Sequence, residues 1–218
     1  MGTMLIHSPQ LVTTAGHHGS PCHGLLPFSP PRTMADFLRL SAGTWLSVRS
    51  VHHFDFSPDQ SGESNLIITL LEQGDEAVQR VCAQQQVPCS AAAMGARFQW
   101  QGNHRQGPAD ERYGAVLVDL PGPGQGCGRL VRDVGYVEAT PVISPYRFDE
   151  DGLLTIHTVY DRNVGTERCW FLNEDVRVRV GTVQLMDGPN LVSYATETRC
   201  TPLEDLEKLR RVAQGRCE

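Results

Sequence analysis

Short stretches that alternate between apolar and polar residues make up most of the chain after residue 34. Alternation of this kind, with many β-branched and aromatic residues, is typical of half-buried β-strands. Gly, Pro, Asn and Asp signals separate most of the stretches, as at Pro121–Gly124. We predict ten strands, at Thr44–Phe56, Asn65–Leu71, Ala96–Gln101, Arg112–Leu120, Gly128–Val134, Tyr136–Phe148, Leu153–Tyr160, Glu167–Leu172, Val176–Leu185 and Leu191–Cys200. Short strands at near-regular spacing indicate a sandwich or an up-and-down barrel.

Three stretches have a helical period instead. Ala35–Ser41 predicts a short N-terminal helix, and Asp75–Gln85 predicts an internal helix. The third begins at Thr201–Glu204, a capping box with proline at the first helical position. An apolar stripe follows it, so we expect a C-terminal helix that packs on the strands through Leu203, Leu206, Leu209 and Val212.

The first 33 residues differ from the rest of the chain. They contain no Asp or Glu and one arginine, Arg32, among many Gly, Pro, Ser and His residues. They match neither a signal peptide nor a transit peptide, and such a segment cannot bury enough apolar surface to fold. We therefore expect a disordered N-terminal extension at residues 1–33, with Met34 as an alternative start, and one folded domain at residues 34–218.

Composition excludes several classes of protein. The net charge of −6 argues against non-specific binding of nucleic acid, which requires a basic surface. No apolar run approaches the roughly 18–20 residues of a membrane-spanning helix. The seven cysteines include no CxxC pair and match no zinc module, so we expect reduced thiols in a cytosolic protein and no metal site.

The segment Gly43-Thr44-Trp45 follows the first predicted helix and opens the first predicted strand. A Gly-x-Trp in this position resembles the opening of the lipocalins, in which glycine permits a tight turn and tryptophan plugs the closed end of a barrel. With a helix before the motif and some nine strands after it, the pattern favours a lipocalin-like barrel.

Five further blocks occur in the order found in the S/U-type phycobiliprotein lyases, a lipocalin-like (calycin) group. They are Ser41–His53 with Ser61–Ser64, Gly95–Trp100, Gly128–Tyr136, Glu167–Phe171 and Asn173–Arg179. The resemblance spans about Met34 to Cys200. It implies a mainly β fold, an up-and-down antiparallel barrel of about ten strands with the three helices described above.

The same resemblance implies a function. These lyases bind a linear tetrapyrrole, phycocyanobilin or phycoerythrobilin, and attach it through a thioether to the central cysteine site of a phycobiliprotein subunit. The bilin would be a transferred substrate rather than a permanent cofactor, and the partner an apo-phycobiliprotein α or β subunit in the cyanobacterial cytosol. Family members work alone or as heteromers, so a homodimer and a complex with a paralogous lyase subunit both stay open.

The resemblance also implies the site residues. Glu167 would accept hydrogen bonds from the pyrrole nitrogens and move a proton during addition, while Arg177 would hold a propionate. Phe98 and Trp100 alternate on one strand, so they share a face that would stack on the pyrroles. The remaining bilin-binding residues are Trp170 and Arg179.

Simpler interpretations stay open for these residues. Glu167 and Arg177 are equally compatible with a surface ion pair across a hairpin, and Phe98 and Trp100 with plain barrel core. Arg132, Asp133 and Tyr136 belong to the block most like the family, yet the sequence assigns them no role.

The hairpin between Glu167 and Arg177 provides a geometric test. If Phe171 paired with Val176, Trp170 would face the same side as Arg177, and Glu167 would face the opposite side. We therefore predict a one-residue shift or a β-bulge in this hairpin, because both side chains can share a pocket only with such an irregularity.

Two other functions fit the same pattern. One is a non-catalytic lipocalin-type carrier of a small apolar ligand or bilin, which would have the barrel but no protein acceptor. The other is a chaperone-like protein that binds the apo-phycobiliprotein alone.

Overall fold

The computed structural model describes residues 28–54, 57–102, 114–135, 138–185 and 188–200. In these residues ten antiparallel strands form a closed barrel in which consecutive strands pair, and the first strand pairs with both the second and the last. The strands are β1 Gly43–His53, β2 Gln60–Leu71, β3 Met94–Gly102, β4 Gly114–Pro121, β5 Cys127–Arg132, β6 Val142–Phe148, β7 Leu154–Val159, β8 Asn163–Asn173, β9 Val176–Leu185 and β10 Gly188–Arg199. The up-and-down barrel predicted from the sequence is confirmed.

The described residues also contain two α-helices, α1 at Met34–Ser41 and α2 at Glu76–Gln84, and a short 3₁₀ helix at Cys89–Ala91. The apolar side of α1 packs on the inner face of the barrel together with Trp45. In contrast, α2 covers the outer face of β4 and β5 through Ala77, Val78, Val81 and Cys82. The helix predicted from Thr201 onward lies outside the described residues.

The last residues of the predicted extension belong to the folded barrel. Phe28 packs against the inner core, and the Thr33 hydroxyl caps α1 by accepting a hydrogen bond from the Asp36 amide at 3.2 Å. The residues just before α1 therefore already pack on the barrel, where the part of the chain that resembles the family begins. The expectation for residues 1–27 lies outside the described residues.

The Gly-x-Trp motif places Trp45 in the inner core of the barrel beside α1. Gly43 has φ +121°, a conformation that side chains strongly disfavour. Trp45 is fully buried and donates a hydrogen bond from Nε1 to the Ser41 carbonyl at 2.8 Å. Arg199 from the last strand covers the tryptophan ring at 4.2 Å and donates to the carbonyl of Ala42. The first and last strands of the barrel are thus joined around one aromatic side chain.

Several strand boundaries differ from the prediction, most of all the starts of β2, β6 and β8, the last of which begins at Asn163 rather than Glu167. β2 begins at Gln60 rather than Asn65, because residues 60–64 pair with β1 through their backbone while their mostly exposed polar side chains hide the alternation. The sixth strand begins at Val142 rather than Tyr136; bends at residues 138–140 precede it, and Tyr136 itself lies outside the described residues. In the described part of the chain no helix is long and apolar enough to cross a membrane.

Candidate functional site

A cavity of about 650 Å³ lies inside the barrel. This volume falls within the roughly 300–1,000 Å³ range of small-molecule sites. Its wall combines the apolar side of α1 with the inward side chains of eight strands, among them Ser47, Arg49, Ser64, Leu66, Phe98, Trp100, Leu117, Leu130, Arg132, Leu154, Ile156, Glu167, Cys169, Arg177 and Arg179. The wall is therefore largely apolar, with a few charged groups that can orient a ligand.

Phe98 and Trp100 form an aromatic wall of the cavity. Their ring centroids are 6.3 Å apart and their planes are inclined by 29°, which is a stacked arrangement. The guanidinium carbon of Arg179 lies 5.9 Å from the centroid of the Trp100 ring. The prediction that both aromatic residues share the inner face is confirmed, and the surface they form suits a flat conjugated ligand.

Glu167 projects into the same cavity from β8. Its Oε2 accepts a hydrogen bond from NH2 of Arg132 on β5 at 2.5 Å. Burial by itself would raise the pKa of the Glu167 carboxyl, but the positive charges of Arg132 and Arg179 outweigh it and hold the pKa below its ordinary value. The site thus contains a carboxylate that stays ionised although it is largely removed from water.

Arg177 also reaches the cavity wall, but its partner is not Glu167. Its Nε donates to Oε2 of Glu197 at 2.6 Å, and its NH1 donates to Oγ of Ser41 at 2.7 Å. Both charged side chains are almost fully buried, and the guanidinium packs against the ring of Trp45 at 5.1 Å. The interpretation of Glu167 and Arg177 as one surface ion pair is wrong, because each residue has a different, buried partner.

Arg179 follows Arg177 on the inner face of β9. Its NH2 lies 3.5 Å from Oε1 of Glu197, and 18% of its side chain remains exposed. Of the two arginines on this strand, Arg179 is therefore the more accessible from the cavity.

The predicted irregularity of the β8–β9 hairpin is confirmed. Phe171 pairs with Arg177 and Asn173 with Val176, so the register shifts at Leu172. This β-bulge turns Arg177 to the same side as Phe171, and therefore to the same side as Glu167 four residues earlier. One extra residue near the turn brings the two charged side chains into one cavity.

Trp170 is the one predicted site residue that the structure places elsewhere. It lies between the inward-facing Cys169 and Phe171, pairs with Val178 on the outer face, and is not among the residues that line the cavity. A strand alternates its side chains, so Glu167 and Trp170, three positions apart, face opposite sides. The odd spacing between Glu167 and Trp170 is the sequence feature that distinguishes Trp170 from the other predicted site residues.

The sequence assigns no role to three charged residues of the site, Arg49, Arg132 and Glu197. Glu197 carries a readable signal, since Ser193, Ala195 and Glu197 alternate on the buried face of β10. Glu167, the partner of Arg132, lies on a strand that does not neighbour β5, so only the closed barrel reveals that pair, whereas Glu197 faces Arg177 across the β9–β10 hairpin.

Cys169 is the cysteine in the cavity wall, next to Glu167 on β8. Burial raises the pKa of its thiol to about 12. The thiol therefore stays protonated at neutral pH, and a protonated thiol is a poor nucleophile. Among the described residues no group of His, Cys, Asp and Glu side chains is arranged to hold a metal ion.

A closed up-and-down barrel with a ligand-sized cavity, entered by a Gly-x-Trp turn, defines the lipocalin-like class of small-molecule-binding proteins. Within that class the chain belongs to the CpeS-like protein family, whose model matches residues 33–200. The family predicted from the sequence is confirmed over nearly the same span.

Relatives support the same assignment. The chain is 48% identical over 181 residues to chromophore lyase CpcS/CpeS 4 of Trichodesmium erythraeum, covering 83% of this chain and 94% of that protein. It is 44% identical to chromophore lyase CpcS/CpeS of Synechococcus sp. strain WH8020, covering 85% and 94%. The solved structure of the S-type phycobiliprotein lyase CPES from Guillardia theta superposes with a TM-score of 0.65 at 26% identity, covering 78% of this chain and 94% of that one.

Proposed function

We propose that the chain is a phycobilin lyase: it binds a linear tetrapyrrole, phycocyanobilin or phycoerythrobilin, and attaches it to a cysteine of an apo-phycobiliprotein α or β subunit in the cytosol. The observation that carries the proposal is the ionised, largely buried carboxylate of Glu167 in a cavity walled by stacked aromatic rings. A bilin has a flat conjugated system, inner N–H groups and two propionates, and each of these finds a matching group here.

Charge supports an acidic ligand. Four arginines and one glutamate direct their side chains to the described part of the cavity, namely Arg49, Arg132, Arg177, Arg179 and Glu167. Glu197 lies behind the wall and offsets part of the excess. The remaining positive charge suits propionates, which guanidinium groups bind through two parallel hydrogen bonds.

The proposed roles follow from position. Glu167 accepts hydrogen bonds from the pyrrole N–H groups and acts as counter-ion to the protonated bilin. Arg179, the more accessible arginine of β9, contacts a propionate, and Arg177 supports it from the wall of the cavity. Phe98 and Trp100 stack on the pyrrole rings. We leave Trp170 out of this set because it lies on the outer face.

The reaction is an addition. The sulfur of the partner's cysteine forms a bond with the ethylidene carbon of ring A, the double bond opens, and the thiol proton is taken up by the bilin, so nothing leaves. The nucleophile belongs to the partner protein, which agrees with the protonated state of Cys169. The barrel contributes orientation, since holding the reacting carbon near the incoming thiol removes much of the entropic cost.

The experiment is to mix the purified protein with each bilin, record the visible spectrum, and then add one apo-subunit at a time. We expect a red-shifted band on binding, followed by colour on the subunit that survives acid–urea denaturation. Binding without covalent colour would identify a carrier, and no spectral change would identify a chaperone; either result contradicts the proposal.

Glu167→Gln tests the role of the carboxylate. We expect about 10²-fold slower attachment, because groups that move protons typically contribute 10²–10⁴ in rate. Glu174→Gln is the matched control, since Glu174 is exposed in the β8–β9 turn. An unchanged rate for Glu167→Gln would remove Glu167 from the mechanism.

A further inference from the structure

Arg132 belongs to a block of sequence that the proposed function does not use. It ends β5, lines the cavity, and pairs with Glu167 on β8. β6 and β7 lie between these two strands in the barrel wall. The ion pair therefore crosses the interior of the barrel and is not a contact between neighbouring strands.

The guanidinium of Arg132 is only partly satisfied. One nitrogen, NH2, donates to Glu167, but Nε–H is buried and has no acceptor among the described residues. The side chain is 7% exposed, so bulk water does not readily supply the missing acceptor. A buried donor without a partner lowers stability, and in a ligand cavity it marks a place where the ligand provides an oxygen.

Glu167 is left with one free oxygen. The bond to Arg132 uses Oε2, and no described residue donates a hydrogen bond to Oε1. The carboxylate is thus fixed by one oxygen and open through the other, which is the arrangement needed to accept an N–H group from a ligand.

We propose that Arg132 positions Glu167 as a fixed, ionised acceptor for the N–H groups of the bilin, and that its own free Nε–H binds an oxygen of the same ligand. This inference rests on the proposed function for the identity of the ligand. Arg132 is a positioning residue with respect to Glu167, and the ion pair itself exists without the ligand.

The electrostatic surroundings of Glu167 allow a clear expectation. The groups that face it are Arg132 on β5, Arg179 on β9 and the Cys169 thiol on its own strand. Arg49, Glu63, Arg177 and Glu197 are the other charged groups in or behind the described wall. Among the described residues Arg132 is the one that donates a hydrogen bond to the carboxylate. Its removal takes away a positive charge and a donor that oppose the effect of burial, and therefore raises the pKa of Glu167.

The first test uses the empty protein and therefore does not depend on the proposed function. The protein is labelled with ¹³C at the glutamate carboxyl, the Glu167 signal is identified by its loss in Glu167→Gln, and its titration is followed by NMR. We expect Arg132→Gln to raise the midpoint by at least one pH unit, a tenfold change in proton affinity. Arg132→Lys should restore most of the shift, and Arg147→Gln, at an exposed position on β6, should have no effect. An unchanged midpoint in Arg132→Gln would overturn the proposal.

The second test uses the bound bilin. Lysine retains the charge but does not place an N–H group at the position of Nε, so Arg132→Lys should keep the acid midpoint of the red-shifted band yet bind bilin about tenfold more weakly. Equal affinity of Arg132→Lys and the parent protein would refute the ligand contact. If Arg132→Gln does not fold, Arg132→Met replaces it in the NMR titration with the same expected shift, and the lysine variant still decides the ligand contact. A parent protein that binds no bilin would refute the proposed function while leaving the NMR result on the ion pair in place.

Discussion

Trp100 and Trp170 show how strand alternation decides the environment of a side chain. Both are partly exposed tryptophans on strands of the same barrel, but Trp100 lines the cavity and Trp170 lies on the outer face. They are chemically identical, so the pair provides an internal control for any ligand that enters the barrel.

We predict that Trp100→Leu weakens bilin binding about tenfold, because it removes a stacking surface worth about 1 kcal/mol beyond its area. Trp170→Leu should leave the affinity unchanged. Titration of the absorption band with bilin measures both constants. Equal losses in the two variants would show that the ligand does not stack on the inner face.

Asp119 and Tyr146 form a second buried polar pair, next to the cavity wall but not among the residues that line it. The Tyr146 hydroxyl donates to Oδ1 of Asp119 at 2.7 Å. Burial raises the pKa of the Asp119 carboxyl from its ordinary 3.8, although the hydrogen bond from Tyr146 acts in the opposite direction. A carboxyl with a raised pKa in the folded state loses stabilising free energy as the pH rises from about 3.8 through its folded pKa.

We therefore predict that Asp119→Asn removes this pH dependence and raises the free energy of unfolding at pH 7 by on the order of 1 kcal/mol. The amide oxygen can still accept the hydrogen bond from Tyr146. Urea unfolding between pH 3 and pH 8 is the measurement, with the exposed Asp151→Asn as control. If Asp119→Asn instead had a lower free energy of unfolding than the parent protein at pH 7, the folded state would require the charge of the Asp119 carboxylate.

At the scale of single elements, the turn into β1 depends on glycine. A Cβ on Gly43 would lie 3.0 Å from NH1 of Arg199, and φ is +121°. A Cβ on Gly62 of β2 would have no other atom within 4 Å, so the two glycines differ in constraint although both lie in the same pair of strands.

We predict that Gly43→Ala lowers the free energy of unfolding by about 2 kcal/mol, whereas Gly62→Ala changes it by less than about 0.5 kcal/mol. Chemical denaturation of both variants is sufficient. A loss of unfolding free energy in Gly43→Ala as small as that in Gly62→Ala would show that the turn relaxes without cost.

Strands and turns are predicted well where the sequence pattern that indicates them lies within the same short segment. Alternation found all ten strands, and the spacing of Glu167 and Arg177 required the bulge that the hairpin contains. Strand ends such as Gln60 were missed because exposed polar residues can pair through their backbone without an apolar pattern. The same alternation rule, applied to Trp170, would have placed it outside.

At the scale of the whole molecule, a buried network joins three separate elements. Arg177 of β9 bonds to Glu197 of β10 and to Ser41 at the end of α1. The contact of Ser41 with Arg177 cannot be predicted from the sequence, because the two residues meet only once the barrel has closed. The family resemblance predicts which residues face the cavity, but it does not predict which side chains they pair with.

Breaking this network should affect the stability of the entire barrel. We predict that Arg177→Gln lowers the free energy of unfolding by about 3 kcal/mol, because it leaves the Glu197 carboxylate buried without its main partner. Adding Glu197→Gln should recover most of the loss. Arg39→Gln breaks an exposed pair with Asp36 and should cost less than about 0.5 kcal/mol. Urea unfolding that shows equal losses for Arg177→Gln and Arg39→Gln would contradict the prediction.

The position of Cys169 has a consequence for a barrel that handles a thiol-reactive pigment. An electrophile held against the protein's own sulfur risks labelling its carrier instead of the acceptor. Raising the thiol pKa from 9.0 to about 12 lowers the thiolate population at neutral pH by about 1,000-fold. Burial therefore protects the barrel from self-modification without removing the sulfur, and the pigment stays available for transfer.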